Sequence, residues 1–284
     1  MQTYLDCYPC VLRQALEAAR MAGASEAQER DVIQQTLEIL KNLPSGASPP
    51  EIGSQVHHLV RELTANNDPY LAVKHASTRK ALEMLPKLRS MLEKSEDRLE
   101  TAVRISIAGN IIDFGPNRNY DLWEVVQRVM SQDFAINDMA DLWKDLAASR
   151  SILFLGDNAG ETVFDRLLIE TLGVPVTYVV RGGPVLNDAT IEDALAAGID
   201  QVAEVVTNGA RMPGTSLVKC SQEFVERFES ADLILAKGMG NYETLSEVSA
   251  PIYFLLQVKC QIIGMDVGAP VGGTIVKRGF SYVY

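Results

Sequence analysis

The hydrophobic period of this chain changes once, near residue 149, and that change limits the folds open to it. Upstream, apolar residues recur at helical spacing. Val11, Leu12, Ala15, Leu16 and Ala19 mark a helix over 8–22, and Ser25 with Gln28 and Glu29 marks a capped start for a second, through about Leu40. Leu43 to Pro50 is a Pro/Gly/Ser breaker. Ile52, Val56, Leu59, Val60 and Leu63 then share one helical face, and helical patterns return over 70–93 and 96–112. Downstream, short apolar runs alternate with amphipathic stretches. The expected strands are Ser151–Leu155, Val176–Val180, Gln201–Val206, Leu233–Ala236, Ile252–Leu255 and Thr274–Lys277, with helices near 161–172, 188–197, 216–229 and 241–248. That alternation predicts an α/β fold, a doubly wound, mostly parallel sheet in an α/β/α arrangement, preceded by an N-terminal all-helical region. The expected division is a helical region over 1–148, with a break at 44–50, and an α/β catalytic region over 149–284.

Composition narrows the function. At 284 residues and 47% hydrophobic, the chain can bury a substantial core. A formal net charge of −11 argues against nonspecific binding to nucleic acid or an anionic membrane, both of which need a basic surface. Met1 to Cys10 has neither the basic nor the apolar region of a signal peptide, and no apolar run has transmembrane length, so a cytoplasmic protein with reduced thiols is expected.

In a parallel sheet, ligands bind beyond the carboxyl ends of the strands. Four polar segments stand at such positions: Gly156-Asp157-Asn158-Ala159-Gly160-Glu161, Arg181 to Asp188, Lys237 to Glu243, and Lys259-Cys260. Asp157, Asn158 and Asp188 offer three hard oxygen ligands, the kind a divalent ion such as Mg²⁺ or Mn²⁺ takes while keeping open positions. Arg181, Lys237 and Lys259 are cations able to neutralise a phosphoryl group. Gly238 and Gly240 clear space for backbone N–H groups at a helix start. Gly238-Met239-Gly240 lacks the third glycine of a dinucleotide fingerprint. Cys7 and Cys10 form a single CxxC pair, open to three readings: half of a metal site, completed by Cys220 and Cys260 only if the fold gathers them; a redox pair; or two small apolar residues at a helix start. His57, His58 and His75 read as structural or surface residues.

Asp157 to Glu161, the Asn187-Asp188 loop and Lys237 to Glu243 together resemble the DUF89, or damage-control phosphatase, family. Cys7-Tyr8-Pro9-Cys10, Ala108 to Phe114 and Val258-Lys259-Cys260 are similar to its prokaryotic branch. The resemblance covers the whole chain. It implies a phosphatase that uses a divalent metal (Mg²⁺, Mn²⁺, Ni²⁺ or Co²⁺) and acts on small phosphorylated metabolites, sugar phosphates or damaged compounds. It places metal binding on Asp157, Asn158 and Asp188, and substrate phosphate on Lys237, Gly238, Asn241 and Lys259. Eukaryotic members end the last motif with Arg-Thr-x-Lys, whereas this chain reads Leu256-Gln257-Val258-Lys259. Asn110 and Asp113 carry helix-end chemistry, and the likeness turns them toward the site, where Asp113 would orient a water. Asp157, Asp188, Lys237 and Asp113 are the catalytic candidates. Asn158, Glu161, Arg181, Gly238, Asn241, Lys259 and Asn110 are the substrate-binding candidates.

Attack by metal-activated water is favoured over a phospho-aspartate at Asp157. Two rivals share the features: a non-catalytic binder of small anions, and an S-adenosylmethionine-dependent methyltransferase. The loop after the first strand lacks the glycine run that the second usually has.

Overall fold

In the computed structural model, residues 1–111 and 122–280 are described. Six helices come first: α1 (Cys7–Met21), α2 (Glu26–Lys41), α3 (Pro49–Thr64), α4 (Leu71–Glu93), α5 (Arg98–Ile111) and α6 (Leu122–Ser131). Ser25 caps α2 in a reciprocal capping box with Gln28, and Ser48 caps α3 in another with Glu51, with Pro49 at the first helical position. A two-residue strand, β1 (Ile136–Asn137), lies in the segment whose pattern reads as helical, followed by α7 (Met139–Ala148). The chain then alternates through β2 (Ile152–Leu155), α8 (Thr162–Leu172), β3 (Val176–Val180), α9 (Ile191–Ala196), β4 (Glu204–Thr207), α10 (Gln222–Glu229), β5 (Ile234–Lys237), α11 (Gly238–Leu245), β6 (Ile252–Gln257), α12 (Gln261–Val267) and β7 (Thr274–Arg278).

The strands form one sheet in the order β1-β7-β6-β5-β2-β3-β4, parallel throughout except for the antiparallel β6–β7 pair. The two-residue alternation of each strand divides its side chains between two cores. Phe154, Leu235 and Tyr253 face a core shared with α4, α5, α6 and α8, while Leu153, Ile234, Ala236 and Phe254 face one shared with α10, α11 and α12. Burying each such side chain contributes about 1.5–3 kcal/mol. Helices α1–α3 pack on one another through Val11, Ala15, Ile52, Val56 and Val60.

The chain leaves β2 toward β3 and β4 on one side. Beyond β5, on the other, lie β6 and β7. The strand order therefore reverses between β2 and β5, and the crevice outside their carboxyl ends is where open α/β sheets bind ligands.

Candidate active site

The loops after β2 and β3 are stitched together at that crevice. Ala159 N–H donates to Asn187 O at 2.9 Å, Ala189 N–H donates to Asp157 O at 2.7 Å, and Asn158 and Asp188 form an isolated antiparallel bridge. Asp157, Asn158 and Asp188 thus converge. Leu186, within the loop after β3, takes the left-handed conformation at φ 47°, a strained position for a bulky residue that the surrounding bonds hold in place. Gly238, which opens α11 at φ 77°, abuts the Asp157 carboxylate from below. A Cβ there would overlap it.

The three residues face a cleft of about 560 Å³. Lys259, Met239 and Gly240 form one wall, and the first turns of α1 and α3 form another, including Cys7, Cys10 and Pro49. Cys260 joins Cys7 and Cys10 along this cleft, whereas Cys220 packs against the core shared with α10, α11 and α12. Among the described residues no three of His, Cys, Asp and Glu converge as a ready-made metal cage.

Two buried cations hold the carboxylates. The Arg181 guanidinium donates to Asp188 Oδ2 at 2.6 Å and to Asp157 Oδ1 at 3.5 Å, and also to Thr215 Oγ1 and Asn241 Oδ1. The Lys237 ammonium donates to Glu161 Oε1 at 2.5 Å, Asp165 Oδ1 at 2.6 Å and Ser106 O at 3.0 Å. Asp165 also accepts from Tyr178 Oη and Ser106 Oγ. Burial penalises the charge on Glu161, but the Lys237 ammonium and the Asn110 amide hold its pKa below the ordinary value. At Asp157 the Arg181 and Lys259 charges oppose burial less effectively. Burial, then the nearby Asp188 and Glu161 charges, push it up to about 8.

Three of the expected site residues lie away from the open cleft. Lys237 does not face the cleft. It is the last residue of β5 rather than the first of a loop, so the strand alternation points it, like Leu235, toward α5 and α8, where its three hydrogens are spent. Arg181 is equally buried, behind the two aspartates rather than before them. The Asn241 side chain is also enclosed. Its Nδ2 donates to Lys237 O at 2.7 Å and Gly156 O at 3.2 Å, and its Oδ1 accepts from Thr215 and Arg181. All three side chains are enclosed and bonded to the carboxylates, hydroxyl and backbone around them, away from the open cleft. Lys259 remains as an exposed cleft cation. Glu161 lies beneath the cleft, tied to Asn158 and Asn110. Asp113 lies outside the described residues.

The sequence expectations omit Asp165, the acid that shares Lys237 with Glu161. A signal was available: it is one helical turn beyond Glu161 and is flanked by Val163, Phe164, Leu167 and Leu168, a setting in which an acid turned inward needs a buried partner.

Residues 3–275 match the family model described as the damage-control phosphatase ARMT1-like domain. A damage-control phosphatase of Archaeoglobus fulgidus is 35% identical over 95% of this chain and 97% of its own. One of Pyrococcus horikoshii is 32% identical over 98% of both. The crystal structure of a DUF89 family protein from Pyrococcus horikoshii superposes with a TM-score of 0.91 at 30% identity, covering 99% of this chain and 100% of that one. The chain belongs to the damage-control phosphatase ARMT1-like, or DUF89, family and is a phosphatase.

Proposed function

We propose that this phosphatase is a divalent-metal-dependent phosphomonoesterase acting on small phosphorylated metabolites. The observation that carries the metal is a charge imbalance. Four buried or nearly buried carboxylates (Asp157, Glu161, Asp165 and Asp188) touch two buried cations (Arg181 and Lys237); with all four ionised, as a bound cation would hold them, two negative charges are left over, and without one Asp157 is driven toward its protonated form. One divalent ion balances them. The donor set is hard oxygen, as Mg²⁺ and Mn²⁺ require, and Asp157, Asn158 and Asp188 line the cleft, with Gly238 leaving room for the Asp157 carboxylate.

Asp157, Asn158 and Asp188 would hold the ion, which when bound polarises the phosphoryl group and favours attack by water. The chain's own residues do the rest. Arg181 fixes the rotamers of Asp157 and Asp188. Lys237 keeps Glu161 ionised, and without the ion Glu161 accepts from the Asn158 amide at 3.0 Å. Lys259 meets the phosphoryl oxygens at the cleft wall and offsets the charge that grows on them.

The test is phosphate release from p-nitrophenyl phosphate and a panel of sugar and other small phosphomonoesters, with Mn²⁺ or with EDTA. Release that EDTA abolishes supports the proposal. Release that persists in EDTA refutes the metal role, and binding without any release marks a non-catalytic anion binder.

A further inference from the structure

Four polar side-chain atoms beside the cleft close into a ring. Asn110 Nδ2 lies 2.9 Å from Asp157 Oδ2 and 2.9 Å from Glu161 Oε2. Asn158 Nδ2 lies 3.0 Å from the same two oxygens. Two amide nitrogens therefore alternate with two carboxylate oxygens around a closed ring with edges of 2.9–3.0 Å. The Asn110 side chain is fully enclosed, at 1% exposure, and its own Oδ1 is a buried acceptor with no partner among the described residues. Buried acceptors are rarely left unsatisfied without a functional reason.

An octahedral ion with bonds of about 2.0–2.1 Å sets neighbouring ligands about 2.9–3.0 Å apart, the edge of this ring. A half-turn of each amide about its last torsion exchanges nitrogen for oxygen with little change in shape. Four oxygens then surround one centre. Without a cation that state is repulsive, because two amide oxygens would face two carboxylates. In the present state the two NH₂ groups supply the positive charge.

Resting on the metal reading above, we propose that Asn110 and Glu161 are direct ligands of the ion, completing with Asp157 and Asn158 a four-oxygen plane that Asp188 approaches from the cleft side. The packing of α5 on α8 delivers Asn110 to the ring. Gly109 lies so close to Phe164 that a Cβ there would come within 2.9 Å of that side chain, and the close approach sets the next residue over Glu161. Lys237 then has a second task, keeping the Glu161 ligand deprotonated while occupying only its far oxygen, Oε1.

Calorimetric titration of Mn²⁺ into the metal-stripped protein tests the proposal on wild type, Asn110→Ala and Asn110→Asp. Asn110→Ala should bind Mn²⁺ about 10–100-fold more weakly than wild type. Asn110→Asp offers an oxygen but no hydrogen to donate, and should bind at least as tightly as wild type. If Asn110 serves only as a hydrogen-bond donor, Asn110→Ala will match wild type, or Asn110→Asp will fail as badly as Asn110→Ala. Either result overturns the proposal. Melting curves in EDTA establish that each variant is folded. If Asn110→Ala is not, an anomalous map of a wild-type crystal soaked in Mn²⁺ decides: an ion at bonding distance from Asn110 Oδ1 supports the ring, and an ion bonded elsewhere refutes it. Wild type that binds no Mn²⁺ defeats the metal reading as a whole. Wild type and Asn110→Ala binding equally defeats the ring alone.

Discussion

Replacing Lys237 with methionine separates a buried structural cation from one that greets substrate. The methionine preserves most of the volume but removes the one positive charge that, among the described residues, touches both Glu161 and Asp165, all three being fully enclosed. Breaking a buried ion pair by deleting one member costs about 3–5 kcal/mol. At this chain length about 2 °C of melting temperature accompanies each kcal/mol, so the variant should melt roughly 6–10 °C below wild type at pH 8 in EDTA. The deficit should depend on pH. Without Lys237, burial raises the folded-state pKa of both acids above their unfolded values. An acid raised in this way loses stability as pH climbs from its unfolded pKa toward its folded one. The deficit should therefore be small near pH 5 and largest at pH 8. Differential scanning calorimetry over that range measures it. A variant that melts with wild type at pH 8 while losing phosphatase activity would refute this reasoning and return Lys237 to the substrate.

Gly238→Ala forces a Cβ against the Asp157 carboxylate at a left-handed backbone position; it should cost about 1–3 kcal/mol by thermal melt and reduce phosphate release at least tenfold. His57 is enclosed against Tyr70, and burial, helped by the Arg61 charge, lowers its pKa to about 4. A base with a depressed folded pKa makes stability fall as pH drops from about 6.5 to 4, here by about 3 kcal/mol, and His57→Phe should flatten that limb of the melting profile. Glu243 behaves oppositely. Burial raises it to about 7, so stability falls as pH rises from about 4.5 to 7, and Glu243→Gln should leave the His57 slope exposed. Saturating Mn²⁺ at a hundred times its dissociation constant should raise wild-type stability by about 2.7 kcal/mol, read as a higher melting temperature that EDTA reverses.

The fold was legible because period alone separates the two halves, and the Asp157-Asn158 turn because an apolar run stops at a glycine there. The meeting of Asp188 with Asp157 follows from parallel strands presenting their ends on one edge. What escaped was orientation. Lys237 differs from a loop lysine by one residue of strand, and in a two-residue repeat one residue exchanges the cleft for the interior. Asn110 and Glu161 sit at the ends of helices whose mutual rotation depends on the Gly109–Phe164 contact, and no linear pattern encodes such a contact. The β1 strand is two residues long, too short to show a period.

On the proposed metal reading, the cluster of buried acids also sets an order of events. A bare site repels a phosphate dianion, and the same pocket holding a divalent ion attracts it, so the ion should enter first and the substrate should find little to bind until it has. The coupling runs both ways: whatever the ion adds to phosphate affinity, phosphate must add to ion affinity. Inorganic phosphate, the reaction's own product, should therefore retain the ion in the resting enzyme, and a chelator should strip the protein faster in its absence.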